Sequence, residues 1–185
     1  MKNNINIAII GCGRVSGHHC RSIAETKGIE LTAVCDLEIE KANNYSEQYG
    51  TKAYDNYHKM LQENQEINTV AVITPSGMHY EHALDVISRY RKNIIVEKPT
   101  FLKPTHVSEV FKVASEAGVQ VFTVFQNRHN LAVKRVEQGL KDGELGQVRS
   151  VAVRVRWCRP QRYYDLAPWR GTFSMDGGCL TNQGI

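Results

Sequence analysis

A run of β-branched and small apolar residues, Ile5-Asn6-Ile7-Ala8-Ile9-Ile10, stops at Gly11-Cys12-Gly13 and passes into a helical stretch ending near Lys27. A second apolar run, Leu31-Thr32-Ala33-Val34-Cys35, follows and ends in Asp36. No other feature constrains the fold as tightly. Near-continuous apolar runs mark parallel strands buried on both faces, and parallel neighbours need a crossover, here the intervening helix. Gly11 permits a tight turn. Gly13 lets an anion approach the backbone at the helix N-terminus, where unpaired N–H groups and the dipole favour negative charge.

Strand, glycine turn, helix, strand and acid together are the order of a dinucleotide-binding Rossmann unit. Asp36 lies 19 residues past Gly17, close to the ~20 at which an acid accepts hydrogen bonds from the adenine ribose. The third fingerprint position is Ser16 rather than glycine, a residue small enough to pack there at slight cost.

The alternation continues. Helices are expected over 37–49, up to about Glu63, from about Tyr80 to Arg91 and from about Pro104 to Ala117. Strands are expected near Ala53-Tyr54, at 69–73, at 93–96 and at 119–124. Six strands alternating with helices predict an α/β fold, a doubly wound parallel sheet over residues 1–125. Residues 126–185 read as the first part of a second, incomplete α+β domain. It holds a helix from Leu131 to Leu140 and a one-sided strand over 148–157, where Val151, Val153 and Val155 alternate with arginines. Residues 158–185 read as loop.

Hydrophobic residues make up 42% and charged residues 23% of the 185, which excludes a disordered or fibrous chain. The opening apolar run is far short of the ~20 residues of a membrane span and lacks a cleavage site, so a cytoplasmic protein without membrane partner is expected. Five cysteines form no CxxC pair and are odd in number, arguing against a disulfide framework or a zinc site. Of the net charge of +4, most lies in 151–185, with five arginines, two aspartates and no lysine. That suits an anionic small ligand better than a nucleic-acid face. His79 and His82, three apart on one helix, read as a solvated face rather than a metal pair, and no metal is expected. His18 and His19, on the first helix, read as packing or phosphate-proximal residues and receive no catalytic role.

Ligands of open α/β sheets bind outside the carboxyl ends of the strands. That rule gathers Gly11, Gly13, Asp36, Thr74-Pro75, Glu97-Lys98-Pro99 and Gln126-Asn127-Arg128. Lys98, directly after a buried strand, either transfers protons or pairs with Glu97 at the surface. The segment from Arg154 to Tyr164 interleaves cations with rings, which suits nucleic acid, one nucleotide diphosphate or a subunit interface.

The Gly-Cys-Gly-Arg turn, Asp36, Thr74-Pro75, Glu97-Lys98-Pro99 and Asn127-Arg128 together resemble the glucose–fructose oxidoreductase / inositol dehydrogenase family. The likeness covers essentially the whole chain, and Glu97-Lys98-Pro99 is its most specific motif. It implies NAD as cofactor, held by Gly11, Gly13, Arg14, Val15, Asp36, Thr74, Pro75, Glu97 and Asn127, with Glu97 at the nicotinamide ribose. It implies Lys98 as the catalytic residue beside the substrate hydroxyl. Residues 156–159, 163–165, 169–172 and 176–185 resemble the branch of that family that oxidises C3 of UDP-N-acetyl-glucosaminuronic acid for lipopolysaccharide sugars. By that likeness Lys98, Arg156, Arg159, Tyr164, Trp169, Arg170 and Asn182 contact a nucleotide-sugar substrate, and the full-length enzyme is a homo-oligomer. Most of the wider family has aspartate where Asn182 stands, and its catalytic histidine follows the position of Ile185, where this chain stops. The rival expectations are another NAD-dependent sugar or polyol dehydrogenase and a non-catalytic dinucleotide-binding module.

Overall fold

The structure, a computed structural model, describes residues 4–184. Six parallel strands form one sheet: β1 (Ile5–Ile10), β2 (Ile29–Cys35), β3 (Lys52–Tyr54), β4 (Thr69–Val72), β5 (Asn93–Val96) and β6 (Val121–Thr123). Their order is β3-β2-β1-β4-β5-β6, so the chain starts at the centre, winds to one edge, then crosses over and winds to the other. That reversal next to β1 opens a crevice at the carboxyl ends of β1 and β4.

The period of two along each strand divides the core. Ala8, Ile10, Val70, Val72, Ile94 and Val96 point to one face. There they meet α3 (Tyr57–Glu63), α4 (His79–Tyr90) and α5 (Pro104–Ala117) through Met60, Leu61, Ala83, Val86, Ile87, Val110 and Ala114. Ile7, Ile9, Val34 and Ala71 point to the other face and meet α1 (Ser16–Glu25) and α2 (Ile39–Tyr49) through Cys20, Ile23 and Ala42. Residues Ser16, Cys20 and Ile23 form the buried stripe of α1, spaced as a helix requires. Ile9 is wholly buried, worth about 1.5–3 kcal/mol of apolar transfer.

Beyond β6 the expectations hold only in part. Helix α6 (Leu131–Lys141) forms as read, started by the Asn130 side chain accepting from the Ala132 N–H. The strand expected over 148–157 does not form. This segment pairs with no strand, and Val151 and Val153 are 77% and 80% exposed. An alternating segment needs a neighbouring ladder to become a strand, and none of the described residues supplies one. Residues 158–184, read as loop, contain three short helices: α7 (Gln161–Asp165), α8 (Phe173–Asp176) and α9 (Gly178–Asn182). Among the described residues no helix is long and apolar enough to cross a membrane.

Candidate active site

Strand β1 delivers its ladder directly into the glycine turn. Gly11, at φ 98°, still donates to the Cys35 carbonyl of β2 at 2.8 Å. A Cβ on Gly11 would lie 2.7 Å from the Ile73 carbonyl oxygen. Ser16 closes the turn: its buried hydroxyl donates to the Gly11 carbonyl at 2.6 Å, so the serine adds a bond where glycine would only fit. A Cβ on Gly13 would meet nothing within 4 Å. Among the described residues, the N–H groups of Gly13, Arg14 and Val15 have no acceptor, and α1 has no side-chain cap. These residues line one open cleft of about 1120 Å³. Unpaired donors at a helix N-terminus, beside a space cleared of side chains, fit a pyrophosphate.

Asp36 ties the turn down. Its Oδ2 accepts from the Cys12 N–H at 2.8 Å and its Oδ1 from the Glu38 N–H at 3.0 Å. Each oxygen keeps a lone pair for a ribose hydroxyl in the cleft that Asp36 lines. Burial, followed by the Asp36 charge, pushes the Cys12 thiol up to about 12, so it is no nucleophile at neutral pH.

Across the crevice, three consecutive residues after β5 are held by three different elements. Glu97 Oε1 lies 2.8 Å from His19 Nε2 on α1, while its Oε2 accepts from the Lys98 N–H at 2.9 Å. Burial works to raise the Glu97 pKa, but these hydrogen bonds and the nearby Lys98 charge outweigh it and hold the carboxyl below its usual value. Lys98 Nζ donates to the Asn182 carbonyl oxygen at 2.7 Å and approaches its Oδ1 at 3.4 Å. The expected surface alternative, a Glu97–Lys98 side-chain pair, is therefore not formed. The peptide bond between Lys98 and Pro99 is cis. The Pro99 carbonyl lies 2.9 Å from His79 Nδ1, and His79 Nε2 lies 2.8 Å from the Thr74 carbonyl. His79 is 1% exposed, which corrects the expectation of a solvated face. Burial lowers its pKa, so the ring is neutral and donates to one of the two carbonyls. His82, partly buried, reaches the Thr74 hydroxyl at 3.1 Å. Among the described residues no cluster could hold a metal ion.

The tail beside this site is built internally from alternating cations and rings. Arg159 stacks between Trp157 and Tyr163, at 3.9 and 4.6 Å, and Arg170 between Tyr163 and Trp169, at 4.7 and 4.6 Å. Arg159 Nε donates to Gln183 Oε1, and Gln183 Nε2 donates to Asn182 Oδ1. Trp169, Arg170 and Asn182 thereby line the same cleft as Gly11, Gly13, Asp36, Thr74, Pro75, Glu97 and Lys98. Tyr164 and Arg170 line a smaller adjoining cavity of about 480 Å³. Arg170 presents a buried Nε without a partner. Three expected contacts are not brought to either wall: Arg159 is committed to its stack, Arg156 is exposed on the extended segment, and Asn127 is exposed in the 3₁₀ turn after β6.

Residues 5–125 match the family model described as an oxidoreductase family with an NAD-binding Rossmann fold. The chain belongs to this family, Gfo/Idh/MocA. The WlbA dehydrogenase of Bordetella pertussis, solved with NADH and UDP-GlcNAcA, superposes at a TM-score of 0.92 with 33% identity, over 98% of this chain and 55% of that one. D-glucoside 3-dehydrogenase of Escherichia coli is 28% identical over 98% of this chain and 51% of its own length. A dTDP-3,4-didehydro-2,6-dideoxy-alpha-D-glucose 3-reductase of Actinomadura kijaniata is 26% identical over 99% and 54%. The chain thus spans about half the length of the curated relatives it matches.

Four residues around this Gfo/Idh/MocA site were given no specific role from the sequence: His19, His79, Asp176 and Gln183. The spacing of Ser16, Cys20 and Ile23 signals the buried face of α1, and His19 stands next to it. His79 reaches Pro99 and Gln183 reaches Arg159, 20 and 24 residues away, while Asp176 bonds Gly171 and Asn182, 5 and 6 residues along an irregular turn that no helical or strand period reports.

Proposed function

We propose that the protein oxidises the C3 hydroxyl of a UDP-linked N-acetyl-glucosaminuronic acid with NAD, in the making of lipopolysaccharide sugars, as a cytoplasmic homo-oligomer. Residues 126–185 are then the start of its substrate-binding domain. The observation that carries the reading is Lys98, whose ammonium sits in the wall shared by the cofactor cleft and the arginine-rich tail. Bound NAD supplies the hydride acceptor for the C3–H. Gly13, Arg14 and Val15 offer N–H groups to its pyrophosphate, Asp36 and Glu97 accept from its two riboses, and Thr74-Pro75 walls the cleft between them. Lys98 first gives up one ammonium proton to solvent, and its free amine then takes the hydroxyl proton. Arg170, with Trp169 beneath it, meets the substrate's anionic groups, for which a guanidinium fork is suited. The likeness to the Bordetella enzyme supports the uronate over other sugars.

In a chain extended over the rest of its relatives' length, NADH absorbance should rise with UDP-N-acetyl-glucosaminuronic acid and far less with UDP-N-acetylglucosamine, which lacks the carboxylate. Lys98→Ala should lower kcat by about 10²–10⁴, the worth of a positioned proton-transfer group, with NAD affinity nearly unchanged. Turnover surviving within a few-fold would make Lys98 structural.

A further inference from the structure

From residue 126 to 184, the only buried residues besides Gly139 are two polar ones, Asp176 and Asn182, at 5% and 6% exposure. Burying polar groups is unfavourable unless partners satisfy them. Here each satisfies the other, Asn182 Nδ2 donating to Asp176 Oδ1. Asp176 Oδ2 accepts from the Gly171 N–H at 2.8 Å, so both carboxylate oxygens are engaged. On its other side, Asn182 Oδ1 faces two donors, Gln183 Nε2 at 3.0 Å and Lys98 Nζ at 3.4 Å. An amide carries one acceptor end and one donor end. Turned over, Asn182 would set its oxygen against a carboxylate and its NH₂ group against an ammonium.

We propose that Asp176 is a positioning residue for Lys98: it fixes the Asn182 amide with its oxygen toward the ammonium while keeping the negative charge on the far side of the pair. Both hydrogen bonds of Lys98 Nζ then end on neutral oxygens of Asn182, and the carboxylate acting on it is that of Glu97, which hydrogen-bonds the Lys98 N–H and is the same in every variant below. This inference rests on the proton-transfer role proposed for Lys98, because a lysine facing neutral acceptors releases its proton more readily than one facing a carboxylate. It also accounts for asparagine at 182. An aspartate there would oppose the Asp176 carboxylate, and two carboxylates at hydrogen-bond distance cannot both ionise freely.

The test reads Lys98 directly, without turnover. Acetic anhydride at trace level and fixed pH labels the 185-residue chain, and mass spectrometry gives the rate at Lys98 relative to Lys112, whose side chain is 76% exposed. The exchange variant Asp176→Asn/Asn182→Asp can keep every bond of the pair. Its new amide donates to the new carboxylate and accepts from Gly171, while the charge moves to the side facing Lys98. Lys98 should then react about tenfold more slowly than in the parent chain, as expected for an ammonium given a close carboxylate. Asp176→Asn alone should speed the reaction several-fold, because the charge is gone and the amide is free to turn. Equal rates in all three proteins would overturn the proposal. So would faster labelling in both variants, which would mean that the tail had merely come loose. Failure of the proposed sugar oxidation would leave these rates unchanged, so the two claims fail separately.

Discussion

Gly11 and Gly13 stand two residues apart and do different work. Gly11 is required by the fold, because its φ of 98° and the Ile73 carbonyl at 2.7 Å both exclude a Cβ. Gly11→Ala should therefore cost at least about 1–3 kcal/mol in denaturant unfolding. Gly13 faces only the cleft, so Gly13→Val should leave the unfolding midpoint nearly unchanged and weaken NADH binding tenfold or more by calorimetry. A reversal of the two effects would contradict the assignment. Asp36 makes a third residue-scale prediction. A 2′-phosphate would face its carboxylate, and two charges ~4 Å apart repel by about 1 kcal/mol in water and about 4 at intermediate dielectric. NAD should bind at least about fivefold more tightly than NADP, and Asp36→Asn should narrow the gap. Equal affinities for the parent chain would remove Asp36 from that role.

The elements that were legible from the sequence are those whose patterns are complete within themselves. Strands β1, β2, β4 and β5 are short apolar runs, α5 begins at Pro104 and is capped by Gly118, and the glycine turn carries its own signature. The expected strand over 148–157 failed because strand formation needs a partner, and alternation reports only half of that requirement. The short helices α7, α8 and α9 escaped notice because each is too brief to show a helical period. Likewise α4 displayed two histidines, but its sequence does not say that His79 lies between the carbonyls of Thr74 and Pro99. That burial has a pH consequence. His79 and His82 both have pKa values lowered by burial. Below the ordinary value of 6.5 the unfolded chain takes up protons that the folded chain refuses, so stability falls as pH drops from about 6.5 until the folded rings titrate. The thermal midpoint should be flat above pH 7 and decline from pH 6.5 to 5.5. His79→Gln should reduce that slope, and an unchanged slope would show that His79 is not buried as described.

At the scale of the whole molecule, two cores on one sheet hold residues 5–125, while the tail attaches through the Lys98–Asn182 hydrogen bonds and through α8, whose Met175 lies close against Gly77. Hydrogen exchange should separate them, with amides of β1, β4 and β5 protected for hours and those of 148–157, which make no backbone ladder, exchanging within seconds. The cleft lies where these two parts meet, which explains why the glycine-turn side was readable and the tail side was not. The glycine turn and its acid are close in sequence, whereas Lys98 and Asn182 are 84 residues apart. The central claim is that a nicotinamide cofactor and a nucleotide sugar meet at Lys98. A crystal structure of the chain with NADH and UDP-N-acetyl-glucosaminuronic acid tests it most directly. The pyrophosphate should lie on the N–H groups of Gly13, Arg14 and Val15, and a sugar hydroxyl should lie within hydrogen-bond distance of Lys98 Nζ. A dinucleotide bound elsewhere, or a sugar out of reach of Lys98, would contradict it.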